Sequence, residues 1–166
     1  MAERVRAVPS KSEGGLEGAV RLLATGIGLG HLPFVPGTAG SLLGAVLCYG
    51  GLYLPWPVDL AMTLMIAGIA VWSAGRMAAQ LGQPDPPQVV IDEIAGMWVA
   101  AFALPPQLYD LAAVFLLFRL MDVVKPAPIP RLQRLAGGFG IVADDLAAGL
   151  LARLAWWLLK MNFDFL

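Results

Sequence analysis

Apolar and polar positions divide this chain into blocks. Five apolar stretches, residues 41–54, 58–75, 89–104, 107–121 and 146–159, are separated by segments rich in charge, glycine and proline. The stretches draw on Leu, Ala, Met and Gly, and their β-branched residues do not alternate with polar ones, so the pattern predicts helices. Two joints are short: "PWP", residues 55–57, and "PP", Pro105 and Pro106. Proline ends a helix because it lacks an N–H and its ring crowds the preceding turn, so both joints are expected to be tight hairpins. Asp59 and Asp110 follow them, where a carboxylate suits the positive end of a helix. That explanation suffices, and neither is assigned chemistry.

The remaining connections, 1–40, 76–88 and 122–145, are long. If each hairpin spans a bilayer, all three emerge on the same side. They hold or border Arg21, Arg76, Arg119, Lys125, Arg131 and Arg134, whereas the hairpin turns have no Lys or Arg. Basic residues concentrate in cytoplasmic loops, which places the long segments in the cytoplasm.

Composition favours the bilayer. Of the 166 residues, 58% are hydrophobic and only 14% are charged, against about 25% charged in an ordinary soluble domain. Mean hydropathy is +0.73. The expected fold is an all-α, polytopic membrane helical bundle, with about four crossing helices plus a C-terminal helix. Each apolar stretch is shorter than the roughly 20 residues a crossing wants, so the spans borrow flanking residues or sit in a thinned bilayer. A soluble helical core is the reading that composition disfavours. Two placements stay open for the last helix: it crosses, or it lies in the interface anchored by Trp156 and Trp157. Trp56 also suits an interface. Residues 1–20 are polar, mixed in charge and without a signal-peptide pattern. They are expected to form a mobile head, with 21–166 as a single domain. A net charge of −1 gives no pull toward nucleic acid. Cys48, the only cysteine, lies in an apolar run and is expected to be buried.

Three polar clusters fall on the basic side. "GIGLGHLPFVPGTAGS", residues 26–41, is a Gly/Pro loop running into a helix, with Ser41 placed as N-cap. Free N–H groups at a helix start attract anions, so Thr38, Gly40 and Ser41 are candidates for phosphate contact. No Lys follows the glycines, so this is not a nucleotide P-loop. "PDPPQVVIDEIAG", residues 84–96, sets Asp92 and Glu93 side by side with Gly96 one turn on. A helix start explains one acid; a second, preceded by apolar Val89–Val90–Ile91, asks for more, and ionisable groups at membrane depth are functional candidates. "FRLMDVVKPAPIPRLQRLAGGFGIVADDLAAG", residues 118–149, offers Arg119, Asp122 and Lys125 at spacings of three, then a glycine turn at 137–140, then Asp144 and Asp145 opening the last helix.

Asp92, Glu93, Asp122, Asp144 and Asp145 form an all-oxygen set suited to a hard cation, Mg²⁺ above all. Arg119 and Lys125 suit a phosphorylated ligand. A divalent cation polarises a phosphoryl group and activates water, so the combination points to hydrolysis of a lipid with a phosphorylated headgroup. Cys48 lacks an arginine at useful spacing for a cysteine phosphatase, and a single histidine, His31, cannot supply a two-histidine mechanism. A small transporter or channel that uses membrane carboxylates is the alternative from another class. Acids gathered beside loops with basic partners argue against it. A phosphatidyltransferase would carry a different Asp-rich helix pattern, which is absent.

The three segments together, over about residues 22 to 152, resemble the phosphatidylglycerophosphatase A family of bacterial membrane proteins. The resemblance implies a Mg²⁺-dependent enzyme at the cytoplasmic face of the inner membrane. It would hydrolyse phosphatidylglycerophosphate to phosphatidylglycerol and phosphate, closing phosphatidylglycerol synthesis. The family's acidic motif falls on Asp92, Glu93 and Gly96; its Arg–Asp–Lys–Pro motif on Arg119, Asp122, Lys125 and Pro126; its paired acids on Asp144 and Asp145, followed by Gly149. Its Pro-Gly-Thr loop falls on Pro36, Gly37, Thr38, Gly40 and Ser41. The five acids are expected to supply metal ligands and the base, with Asp92 and Asp144 favoured as ligands and Glu93 as base. Arg119 and Lys125 are expected to hold the phosphate.

Overall fold

The structure, a computed structural model, describes residues 11–163. Within them the chain is all-α, without a strand: α1 (Lys11–Ala24), α2 (Pro36–Gly51), α3 (Trp56–Leu81), α4 (Ile91–Ala101), α5 (Leu108–Val124) and α6 (Gly138–Phe163). Short 3-10 segments lie at Leu29–His31 and Ile129–Arg134. Proline and left-handed residues set the boundaries. Pro36 starts α2, and Pro57 sits in the first turn of α3, where a missing N–H costs nothing. Gly82 ends α3 at φ 64 and donates its N–H to the Ala78 carbonyl. Lys125 ends α5 at φ 44, and Pro126 blocks continuation.

α4 is the core of the bundle. Eight of its eleven residues are buried, so it is enclosed by neighbours. It packs against α2, α3, α5 and, most extensively, α6. Small residues permit this. A Cβ on Gly149 would run into the Gly96 carbonyl oxygen and lie 3.2 Å from the Ala100 nitrogen, and a Cβ on Gly96 would lie 2.7 Å from the Asp145 carbonyl oxygen and the Phe118 ring. Backbones this close gain dispersion contacts that larger side chains would forbid. Gly75 and Gly138 bring α3 and α6 together in the same way.

Polar staples hold the hairpin end. Asp59 Oδ2 accepts the Ala103 N–H at 2.8 Å, and Asp59 Oδ1 accepts Trp98 Nε1–H at 3.4 Å. Asp110, fully buried, accepts Trp156 Nε1–H at 2.8 Å and pairs with Lys160 at 2.9 Å. Arg153 donates to the Phe102 and Ala103 carbonyls at 2.8 and 2.9 Å, closing the C-terminal end of α4 where a cation is favoured. Asp59 and Asp110 therefore join separate helices rather than merely stabilising their own.

Several expectations need correction. Residues 11–20 are helical, and Val20 is buried with Ala24 in the core; residues 1–10 of the expected head lie outside the described residues. Ser41 is not an N-cap, because α2 begins five residues earlier at Pro36. The glycine turn at 137–140 is shorter than expected: Gly137 alone takes positive φ, and α6 begins at Gly138. Trp156 donates its indole N–H to Asp110, which ties α6 to α5. Cys48 is buried, as expected. Among the described residues, α3 alone combines the length and apolarity of a membrane span; α4, with 11 residues, rises only about 16 Å.

The α4–α6 crossing yields a stability test. Gly149→Val inserts branched volume where backbones already touch, at an expected cost of about 1–3 kcal/mol. A clearly lowered unfolding midpoint in detergent is expected; an unchanged one would contradict the packing described.

Candidate active site

The end of the bundle opposite the two proline joints collects the acids. Asp92 and Glu93 lie in the first turn of α4, where free N–H groups favour negative charge. The close α4–α6 approach sets Asp145 beside them. One carboxylate oxygen from each of Asp92, Glu93 and Asp145 lies within 4.8 Å of the others. Asp92 Oδ1 and Glu93 Oε2 are buried without a hydrogen-bond partner. Bare, buried oxygens of like charge at this spacing repel one another and lack solvent. A hard cation satisfies both deficits, so the donor set fits Mg²⁺.

The cations come from α5. Arg119 and Asp122 share a helix face, and Arg119 Nη1 donates to Asp122 Oδ2 at 2.6 Å. The same Nη1 reaches Ser41 Oγ of α2 at 3.1 Å. Ser41 in turn donates to the Gly37 carbonyl at 2.9 Å, so its hydroxyl orients the guanidinium. Gly37 is needed for space: a Cβ there would overlap Glu93 Oε1 and lie 3.7 Å from Arg119 Nη1. Gly40 is different. Its Cβ position faces Val90 at 2.9 Å, which makes it a packing residue. Thr38 lies half-buried on the first turn of α2.

Lys125 ties the third segment to the second. Its Nζ lies 2.5 Å from Asp144 Oδ2, 3.6 Å from Asp122 Oδ1 and 3.7 Å from Asp145 Oδ1. Burial works against the charged ammonium, but the Asp144 hydrogen bond and the charges of Asp145, Asp144 and Asp122 outweigh it and raise the pKa above the ordinary lysine value. Lys125 thus stays charged. Gln133 Nε2 also donates to Asp144 Oδ2, at 2.8 Å, leaving Asp144 Oδ1 buried and without a partner.

The carboxylates named from sequence therefore meet at one end of the bundle, with an internal division. Asp92, Glu93 and Asp145 form the tight triad. Asp122 is held by Arg119, and Asp144 by Lys125 and Gln133. Two groups had no sequence signal. Gln133 lies on the short 3-10 segment Ile129–Arg134, which has no apolar periodicity to mark it. Asp85, in the "PDPP" loop, has its pKa raised by partial burial and by the charge of Asp144, against the opposing pull of Lys125. Arg131 and Arg134 are exposed on the 3-10 segment, without an ion pair among the described residues.

Fold and site together define a helical-bundle enzyme with an acid triad flanked by fixed cations. Residues 22–160 match the model of the phosphatidylglycerophosphatase A family, and the chain belongs to that family of phosphatases. It is 38% identical over 133 residues to a phosphatidylglycerophosphatase A of Escherichia coli, covering 79% of this chain and 77% of the relative. It is 33% identical over 138 residues to one from Haemophilus influenzae, covering 80% and 83%. A Bacteroides thetaiotaomicron protein bearing the provisional name phosphatidylinositol-3-phosphatase is 36% identical over 138 residues, covering 78% and 86%. No solved structure matches the chain. Family membership displaces the transporter reading.

Gly37→Ala tests the geometry. Its Cβ must displace Glu93 or the start of α2, so phosphatase activity is expected to fall at least about tenfold while the unfolding midpoint in detergent barely changes. Activity equal to that of the parent would show that Glu93 does not need its present position.

Proposed function

We propose that this protein is a Mg²⁺-dependent lipid phosphatase that converts phosphatidylglycerophosphate to phosphatidylglycerol and inorganic phosphate, the closing step of phosphatidylglycerol synthesis. The observation that carries the proposal is the triad: three carboxylates from two helices, with unpartnered buried oxygens, next to Arg119 and Lys125. The printed names of the Escherichia coli and Haemophilus influenzae relatives support the substrate.

Asp92, Glu93 and Asp145 would hold the cation, which supplies charge neutralisation at the phosphoryl oxygens and activates water when bound. Arg119, fixed by Asp122 and Ser41, grips the phosphomonoester through a guanidinium that has little freedom left to lose. Lys125, held charged by its acid neighbours, faces the negative charge that grows as the phosphorus–oxygen bond to glycerol breaks. Glu93 would hold the cation with one oxygen and accept the proton of the attacking water with the other. Asp144 and Gln133 steer Lys125.

The outer surface supports a membrane setting. On α3, Trp56, Leu64, Met65 and Trp72 are exposed, and the next exposed charge is Arg76. Twenty residues of helix from Trp56 to Arg76 rise about 30 Å, the thickness of a hydrocarbon core. Leu42 and Val46 on α2, Leu116 and Leu120 on α5, and Leu150 and Leu154 on α6 are exposed as well, and extended exposed apolar surface marks membrane or partner contact. On this reading the bundle would span the inner membrane as a polytopic unit, with the acid end at the cytoplasmic face beside Arg76, Arg131 and Arg134.

The relative named for phosphatidylinositol 3-phosphate motivates a second reading, in which the same site serves that headgroup. Purified protein in detergent is expected to release phosphate from phosphatidylglycerophosphate, and far more slowly from phosphatidylinositol 3-phosphate. Excess EDTA or Asp92→Ala is expected to lower the rate by at least about a hundredfold. Full activity in EDTA would sink the metal mechanism. A preference for the inositol lipid would establish the second reading.

A further inference from the structure

A furrow of about 340 Å³ runs between α2 and α5. We propose that it seats an acyl chain of the substrate whose phosphate is held at Arg119; the proposal rests on the lipid-phosphatase reading above. Its position carries the inference. At the upper end lie Leu42 and Phe115. Leu42 directly follows Ser41, and Phe115 lies one turn before Arg119, so it shares that residue's face. Ser41 Oγ and Arg119 Nη1 meet at 3.1 Å across the two helices. The furrow therefore opens directly below the cation–hydroxyl bridge of the site.

Tyr49 and Leu108 lie at the lower end, about 10 Å further along α2 at 1.5 Å per residue. Small side chains make the gap: Ala45 forms part of the buried floor, and Ala112 leaves the α5 wall low. Apart from the Tyr49 hydroxyl, the lining side chains are apolar. The furrow lies within the apolar surface, where water does not fill a gap and an empty one forfeits dispersion contacts. A single hydrocarbon chain fits. A chain tethered to a bound headgroup is also present at high effective concentration.

Two measurements test the proposal. Ala112→Phe narrows the furrow and leaves every site residue in place. With this variant, kcat/KM for a long-chain phosphatidylglycerophosphate is expected to fall about tenfold through lost chain burial, while a dihexanoyl substrate changes little. Equal losses on both substrates, or no loss on either, would overturn the assignment. So would a change in oligomeric state on cross-linking with chain-length preference intact, since that assigns the furrow to a second copy. Independently of turnover, a diacyl lipid with a terminal phosphomonoester and a diazirine in one chain is expected to label residues 42–49 and 108–115. Labelling confined to other surfaces refutes the furrow. Labelling there without phosphate release from phosphatidylglycerophosphate keeps the furrow and removes the phosphatase reading instead.

Discussion

The contact on which the site depends is the backbone approach of α4 to α6 at Gly96 and Gly149. Asp92 and Glu93 belong to one helix and Asp145 to the other. Only when the helices touch do these carboxylates reach within 4.8 Å. A side chain at either glycine would move the helices apart and dissolve the triad before any acid was altered. The same glycines explain why α4 can be the enclosed helix of the bundle. Packing and chemistry are thus set by one constraint, and the acid motifs are useful only in its presence.

Charge is distributed between the two ends of the bundle by function. At the hairpin end Asp59 and Asp110 have their oxygens matched by indole, backbone and ammonium donors. Paired buried charges of this kind hold helices in register. At the other end the pairing is incomplete: Asp122 and Asp144 are held by Arg119 and Lys125, while Asp92, Glu93 and Asp144 each keep one bare oxygen. Buried polar atoms without partners are rare in native structures and ask for an explanation. On the proposed reading, a cation bound by the triad would satisfy those of Asp92 and Glu93.

Much of this was legible in the sequence. Helical apolar stretches, proline-closed joints and the three polar clusters on one side follow from local patterns, and those patterns survive folding because proline geometry and apolar burial are local rules. The grouping within the cluster was not legible. Asp144 and Asp145 are adjacent in the chain, yet successive helical residues point about 100° apart, so one joins the triad and the other faces Lys125 and Gln133. Which does which depends on how α6 is rotated by its contacts with α4 and α3. Ser41 read as a helix cap because it precedes an apolar run; Pro36 starts the helix earlier and turns that hydroxyl toward Arg119. Gln133 and Asp85 carried no signal, since their relevance comes from the fold of the connecting segments. Residues 11–20 looked like part of a polar head because the buried face of α1 is confined to a few positions such as Val20 and Ala24.

The central claim is that Asp92, Glu93 and Asp145 enclose one divalent-cation site. Anomalous diffraction from crystals grown with Mn²⁺ in place of Mg²⁺ tests it most directly. The account predicts a peak bounded by these three carboxylates, within coordination distance of at least two of them and next to Arg119 and Lys125. A saturated crystal with its manganese elsewhere, or with the three carboxylates turned away from any peak, would contradict it.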